Sequence, residues 1–180
     1  TPGVYATKSG GGYGDGRINL RGFSSENVGV LINGIPVNDM ENGRLYWSNW
    51  AGLGDVTSSM QVQRGLGASK VAVPSIGGTI NIVTKTTDVE AGGSVRMGTA
   101  NDGYQKYGMT LSTGLMDNGL AITASAAKLS GDGYVDGTEF DGYNYFINLT
   151  KVYNDQHKLS FTAFGAQQTH GQRYNSRTIA

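Results

Sequence analysis

The sequence predicts a mixed α+β domain over residues 1–88, followed over residues 89–180 by antiparallel transmembrane β-strands of a partial barrel. Three observations carry that expectation. Residues 18–85 hold four short apolar segments cut by Arg-Gly, Asn-Gly and Gly-Gly steps. From Ala91 the rhythm changes to alternation of apolar and polar residues. These alternating runs exceed the ~5–6 residues usual in soluble sheets and suit the ~9–11 that a membrane-crossing strand needs.

Composition agrees with many strands and turns. There are 29 Gly, 10 Tyr and only 3 Pro, and no Gly-X-Y period that would signal collagen. Formal net charge is zero and evenly spread: residues 1–88 hold seven basic and six acidic groups, residues 89–180 seven and eight. No basic half exists to hold nucleic acid. Cysteine is absent, which excludes disulfides, thiolate metal sites and a catalytic thiol in this stretch. No apolar run reaches the ~18 residues of a membrane helix, but a barrel hides its lipid face by alternation. The opening Thr1-Pro2-Gly3 and the ending Thr178-Ile179-Ala180 read as a piece of a longer protein.

The first part follows turn chemistry. Residues 5–16 are a Gly-rich connector; no Gly-Lys-Ser/Thr follows, so a phosphate cradle is not supported. Val30-Leu31-Ile32, Asn33-Gly34 and Ile35-Pro36-Val37 predict a hairpin on a type I′ turn. Pro36 cannot donate to a ladder, so its arm belongs at an edge. Residues 39–53 form a polar and aromatic loop, and Asp55 is placed as the cap of a short helical turn before a strand at Met60–Arg64. Residues 65–78 are again Gly-rich, and Thr79–Lys85 is a strand.

The second part reads as five strands. One face takes Val95, Met97, Tyr107, Met109, Leu111, Leu115, Ile122, Tyr145, Ile147, Leu149, Leu159 and Phe161; the other is mainly Gly, Ser, Thr, Asn and Lys. Lipid outside and a polar lumen inside give that dyad pattern. In an up-and-down meander Tyr104, Tyr107, Tyr143 and Tyr145 gather at one rim as an interfacial girdle. The longer loop at 131–141 lies on that rim, and tight turns at 117–119 and 154–156 lie on the other. A soluble twisted sheet is the competing reading of the alternation.

Ile18-Asn19-Leu20-Arg21-Gly22-Phe23, the Asn33-Gly34 hairpin, Val62-Gln63-Arg64-Gly65 and Gly77-Gly78-Thr79-Ile80-Asn81-Ile82-Val83-Thr84-Lys85, in that order, resemble the plug domain of TonB-dependent outer-membrane receptors. The resemblance implies active import through a barrel of about 22 strands whose lumen the plug closes. It departs from the family at Leu66 (usually Pro), at Gln61 and Gln63 (where a carboxylate is usual), and at Ala72-Val73. By resemblance, the apical loops Phe23–Asn27 and Asn38–Trp50 meet the solute, through Phe23, Asp39, Glu41, Asn42, Arg44, Tyr46, Trp47 and Trp50. Aromatics among polar groups suit a solute with ring faces and hydroxyls. Arg21 and Arg64 match the family's plug arginines and would lock plug to wall through carboxylates beyond Ala180. Gly22, Gly34, Gly65, Gly77 and Gly78 serve turns or close packing.

The implied partners are TonB, through an N-terminal segment absent here, outer-membrane lipid, and an extracellular solute: iron chelate, cobalamin, oligosaccharide or peptide. A surface lipoprotein is a further partner compatible with the resemblance; nucleic acid is not. His157 and His170, the only histidines, lack metal-ligand spacing, and no catalytic constellation or cofactor motif stands in the sequence. The chain is therefore not expected to be an enzyme. The alternatives are a passive outer-membrane porin or channel, which needs no independent plug, and a soluble Gly-rich adhesin or binding module, which needs no lipid.

Overall fold

The computed structural model describes residues 3–8, 16–65 and 75–171. Of the Gly-rich connectors expected at 5–16 and 65–78, residues 9–15 and 66–74 (with Leu66, Ala72 and Val73) lie outside these residues, as do the last nine positions; residues 5–8, 16 and 78 are strand residues instead of connector. The described residues form two compact units. One holds residues 3–8, 16–47 and 57–84; the other holds 48–56 and 85–171.

The first unit is built on a four-stranded sheet. Its strands are β3 (Val28–Ile32), β4 (Ile35–Pro36), β5 (Thr57–Arg64) and β6 (Gly78–Thr84), in the order β4-β3-β6-β5. Strands β1 (Val4–Lys8) and β2 (Gly16–Leu20) pair separately and antiparallel. β3 and β4 form the expected hairpin: Asn33 (φ 53°) and Gly34 (φ 82°) are both left-handed, as a type I′ turn requires, and Pro36 sits on the edge strand. The Asn33 amide bonds Thr84 Oγ1 at 2.9 Å, and its Oδ1 accepts from the Thr84 backbone N–H at 2.9 Å. The turn is thereby tied to the end of β6. β3 runs parallel to β6, with Val28 opposite Gly78 and Ile32 opposite Ile82. The central pair supplies the core: Val28, Val30, Leu31, Ile80 and Ile82 are buried, with Leu20. Gly78 (φ 128°) has no room for a side chain, because a β-carbon there would meet the Gln63 carbonyl and Leu20.

The second unit is a five-stranded antiparallel meander. Its strands are β7 (Gly92–Thr99), β8 (Gln105–Leu115), β9 (Leu120–Gly131), β10 (Phe140–Asn154) and β11 (His157–His170). Its two faces invert the usual order. Val95, Met97, Tyr107, Met109, Leu111, Tyr143, Tyr145, Ile147, Leu149, Leu159 and Phe161 are all exposed, whereas Thr123, Asn144, Asn148 and Thr150 on the opposite face are 5% exposed or less. Fully burying such an apolar side chain is worth roughly 1.5–3 kcal/mol. In water, the exposed face would forgo on the order of 10 kcal/mol, as much as a whole domain's stability. Hydrocarbon removes that cost.

The inward face is polar and internally paired. The Asn148 amide donates to Thr162 Oγ1 at 2.8 Å and to Ser160 Oγ at 3.1 Å, while Thr150 Oγ1 donates to Asn148 Oδ1 at 2.8 Å. The outward face has charged limits. Asp141 and Lys151 on β10 lie ten residues apart. At about 3.3 Å per residue and a tilt of about 40°, they bracket a band of about 25 Å, the height of an outer-membrane apolar belt. Lys128 pairs with Asp141 at 3.2 Å, and Lys128 lies in register between Tyr107 and Tyr143 at that rim.

Two expectations need correction. Tyr104 does not join the outward tyrosines; its ring packs on Phe140, 6.2 Å between centroids. Phe140 pairs with Gly131 in the inward series. Leu115 stays exposed (52%) with the outward residues, although the register with β9 shifts between Ser112 and Leu115, where Gly114 (φ 64°) is left-handed. Asp55 is not a helix cap: it stands inside the turn α1 (Leu53–Val56), and its carboxylate bonds to the wall strands.

Candidate functional site

The loop after the β3–β4 hairpin is shaped by short polar side chains. Asp39 Oδ1 accepts from the backbone N–H of Glu41 (2.9 Å) and of Asn42 (3.0 Å), an Asx turn. Asn42 Oδ1 accepts from the Arg44 N–H at 2.8 Å, and its amide donates to the Tyr46 hydroxyl at 3.0 Å. Arg44 Nε donates to Glu26 Oε1 at 2.6 Å, which joins this loop to the 3₁₀ turn Ser25–Asn27 of the preceding loop. Both partners are exposed enough that the pair is worth no more than about 1 kcal/mol. It orients the two loops rather than stabilising the fold.

The structure thus brings Asp39, Glu41, Asn42, Arg44 and Tyr46 together with Glu26 on the first unit, all but Asp39 and Glu26 on the exposed side. Phe23 is 40% exposed and lies against Gly77, where a side chain would strike its β-carbon. Trp47 is half-buried, with its indole N–H buried and unpaired. Trp50 does not group with these residues: it belongs to the second unit, where its ring stacks on Phe164 at 5.4 Å and 23°. Arg21 (φ 54°) and Arg64 form no ion pair among the described residues. No group of three or more His, Cys, Asp or Glu among the described residues could hold a metal.

Sequence reasoning missed three contributors. Asn38 is buried and scaffolds the loop: its Oδ1 accepts from the Val30 N–H at 2.7 Å, and its amide donates to the carbonyls of Val28 (3.0 Å) and Gly43 (2.8 Å). An Asn following an Asn-Gly hairpin reads as one more loop residue. Glu26 was hidden because its partner lies 18 residues away. Asp55 pairs across more than 40 residues with Arg96 Nη1 (2.9 Å) and Lys106 Nζ (2.7 Å).

A small mixed sheet with an exposed polar-aromatic loop, followed by a meander with inverted hydrophobicity, is consistent with part of an outer-membrane β-barrel protein. Comparison with known proteins gives the family. Residues 1–79 match the TonB-dependent Receptor Plug Domain. The "Probable TonB-dependent siderophore receptor PirA" of Acinetobacter baumannii is 32% identical over 115 residues, 59% of this chain and 15% of that protein. The "Vitamin B12 transporter BtuB" of Vibrio vulnificus is 24% identical over 168 residues, 86% of this chain and 26% of that protein. The same fold occurs in the pyoverdine receptor FpvA of Pseudomonas aeruginosa PAO1 (TM-score 0.70, 21% identity, 93% of this chain and 24% of that one). It occurs also in the copper transporter OprC (TM-score 0.74, 16% identity, 95% and 27%). The plug-domain match, the relatives and the structural neighbours together support this chain as a fragment of a TonB-dependent receptor, one of a family of β-barrel proteins of the Gram-negative outer membrane. The chain spans between about a seventh and a quarter of the length of these curated relatives, which are receptors and transporters by name, not enzymes.

Proposed function

We propose that the chain is the later part of a plug, residues 1–88, and the first five strands of a transmembrane barrel, residues 89–180, of an energised importer. A solute binds from outside on Phe23, Asp39, Glu41, Asn42, Arg44, Tyr46 and Trp47; Trp50, stacked on Phe164 in the second unit, is left out of this set. TonB then pulls an N-terminal plug segment, and the plug rearranges to open a path. Binding alone shifts a conformational equilibrium only by its differential affinity for the two states, so a tightly held plug needs external work. Arg21 and Arg64 contribute to a lock between plug and wall.

The observation that carries this reading is the inverted second sheet, with an exposed apolar band of membrane height and a buried polar face. A soluble adhesin would cover that band with a second layer. A passive porin would need no separate mixed sheet. The names of the relatives make iron-siderophore complexes and cobalamin the first probes; oligosaccharides and peptides follow. The test is uptake of labelled probes by cells carrying the full-length receptor, with and without an uncoupler. Uptake should fall at least tenfold when the inner membrane is de-energised. Uptake indifferent to the uncoupler would sink the energised mechanism and leave a channel.

A further inference from the structure

Residues 48–56 precede the barrel strands in sequence, yet they group with them. Three separate contacts fasten this segment to the inward face. Trp50 stacks on Phe164 of β11. Gly52, held at φ 85°, lies so close to Asn144 of β10 that a β-carbon would overlap the Asn144 amide. Asp55 takes Arg96 of β7 and Lys106 of β8, one on each carboxylate oxygen. Nine residues thus cross the sheet from its last strand to its first. Lys85 adds to the same end: its N–H donates to the Val56 carbonyl at 2.8 Å and its Nζ to the Asp55 carbonyl at 3.0 Å.

Asp55 is the strongest of these ties. Its side chain is 15% exposed, so solvent screens the pair with Lys106 less than a surface pair. Removing the carboxylate would leave two cations facing each other without a counter-charge. The polarity is also opposite to the lock expected at Arg21 and Arg64: here the carboxylate is on the segment and the cations are on the wall.

The geometry points to Asp55 as a positioning residue that keeps residues 48–56 on the barrel wall throughout transport, while the rest of the preceding domain rearranges. The inference rests on the importer reading above. Segment 48–56 is then a fixed part of the lumen lining, and the path for solute opens elsewhere in the lumen.

A cysteine pair tests this in the full-length receptor, since the chain has no cysteine of its own. The overlap at Gly52 puts the β-carbon positions of residues 52 and 144 within about 4 Å, inside disulfide range. In Gly52→Cys/Asn144→Cys the bond should form, and uncoupler-sensitive uptake per receptor should stay within twofold of wild type, with or without reductant. A tenfold loss on oxidation, recovered on reduction, would show that the segment must leave the wall and would overturn the proposal. Failure of the disulfide to form in folded receptor would overturn it as well. Because φ at Gly52 strains a cysteine, hydrogen exchange gives a second readout. Asp55→Asn should raise exchange of the 53–56 amides at least tenfold, and Asp55→Glu should restore most of the protection. Equal protection in Asp55→Asn would remove its positioning role. Loss of uncoupler sensitivity in the wild type would instead strike the importer reading, and so is distinguishable.

Discussion

Asn38 carries more of the loop's shape than any residue that touches solvent there. Its side chain replaces a missing strand: it pairs the Val30 N–H and the Val28 carbonyl as an edge partner would, and also holds the Gly43 carbonyl. Asn38→Ala should leave the Val30 donor buried and unpaired, and cost about 1–3 kcal/mol in the denaturant unfolding of the first unit. Loss of less than about 0.5 kcal/mol would mean that water replaces the amide. Asn38→Ala should also loosen the Asx turn at Asp39, and so weaken solute binding without any contact to solute. Trp47 makes the contrasting case, a residue with a large face and an unpaired N–H. Trp47→Ala should weaken solute binding by about 2 kcal/mol, roughly thirtyfold, with the barrel still folded. Unchanged affinity measured by titration would take Trp47 out of the site. The role of Asn38 was not legible in the sequence beyond residue type, because a scaffold amide and a solute-facing amide have the same composition and spacing, whereas Trp47 was singled out by its type and loop.

Turn chemistry and side-chain period made some elements legible and left others hidden. Asn33-Gly34 announces the β3–β4 hairpin because few other pairs accept two successive left-handed residues. Strands β8, β9 and β10 announce themselves because inward and outward residues alternate along most of their 11, 12 and 15 residues. The parallel pairing of β3 with β6 is silent: no turn joins them, and 45 residues separate Ile32 from Gly78. The contacts of residues 48–56 are silent for the same reason. The register shift between Ser112 and Leu115 was hidden too, because a period-2 reading cannot see a bulge. The same alternation yields a sharp prediction at Ile147, which is 47% exposed near the middle of the outward band. In a water-soluble sheet, Ile147→Arg would be almost neutral, since the side chain already meets solvent. Facing hydrocarbon at mid-depth, it should cost about 2–4 kcal/mol, whereas an Arg replacing Tyr143 near the rim should cost about 0–1. Reversible unfolding of the full-length barrel from lipid vesicles measures both. Equal and small costs at the two positions would remove the membrane from the account.

For the whole molecule, the decisive quantity is the number of unpaired strand edges. The five-stranded meander has β7 at one edge and β11 at the other. Among the described strands, β11 (His157–His170) pairs with β10 alone. Each backbone group left unpaired in hydrocarbon costs several kcal/mol, so an open five-stranded sheet cannot rest in a bilayer, and only closure removes the edges. The chain's share of its structural relatives, 24% of one and 27% of another, agrees with a wall that needs more strands than these. Residues 1–180 expressed alone should therefore fail to integrate, and should leave outer membranes on extraction with urea or alkaline carbonate. The full-length receptor should resist both treatments and migrate as a folded barrel until heated. Its resistance should disappear together with the heat-dependent shift if strands beyond β11 are deleted, because the edge is then reopened. A monomeric 180-residue piece that stayed in the membrane through alkaline extraction would mean that the sheet satisfies its own edges, and the outward band would then need an explanation other than a barrel wall.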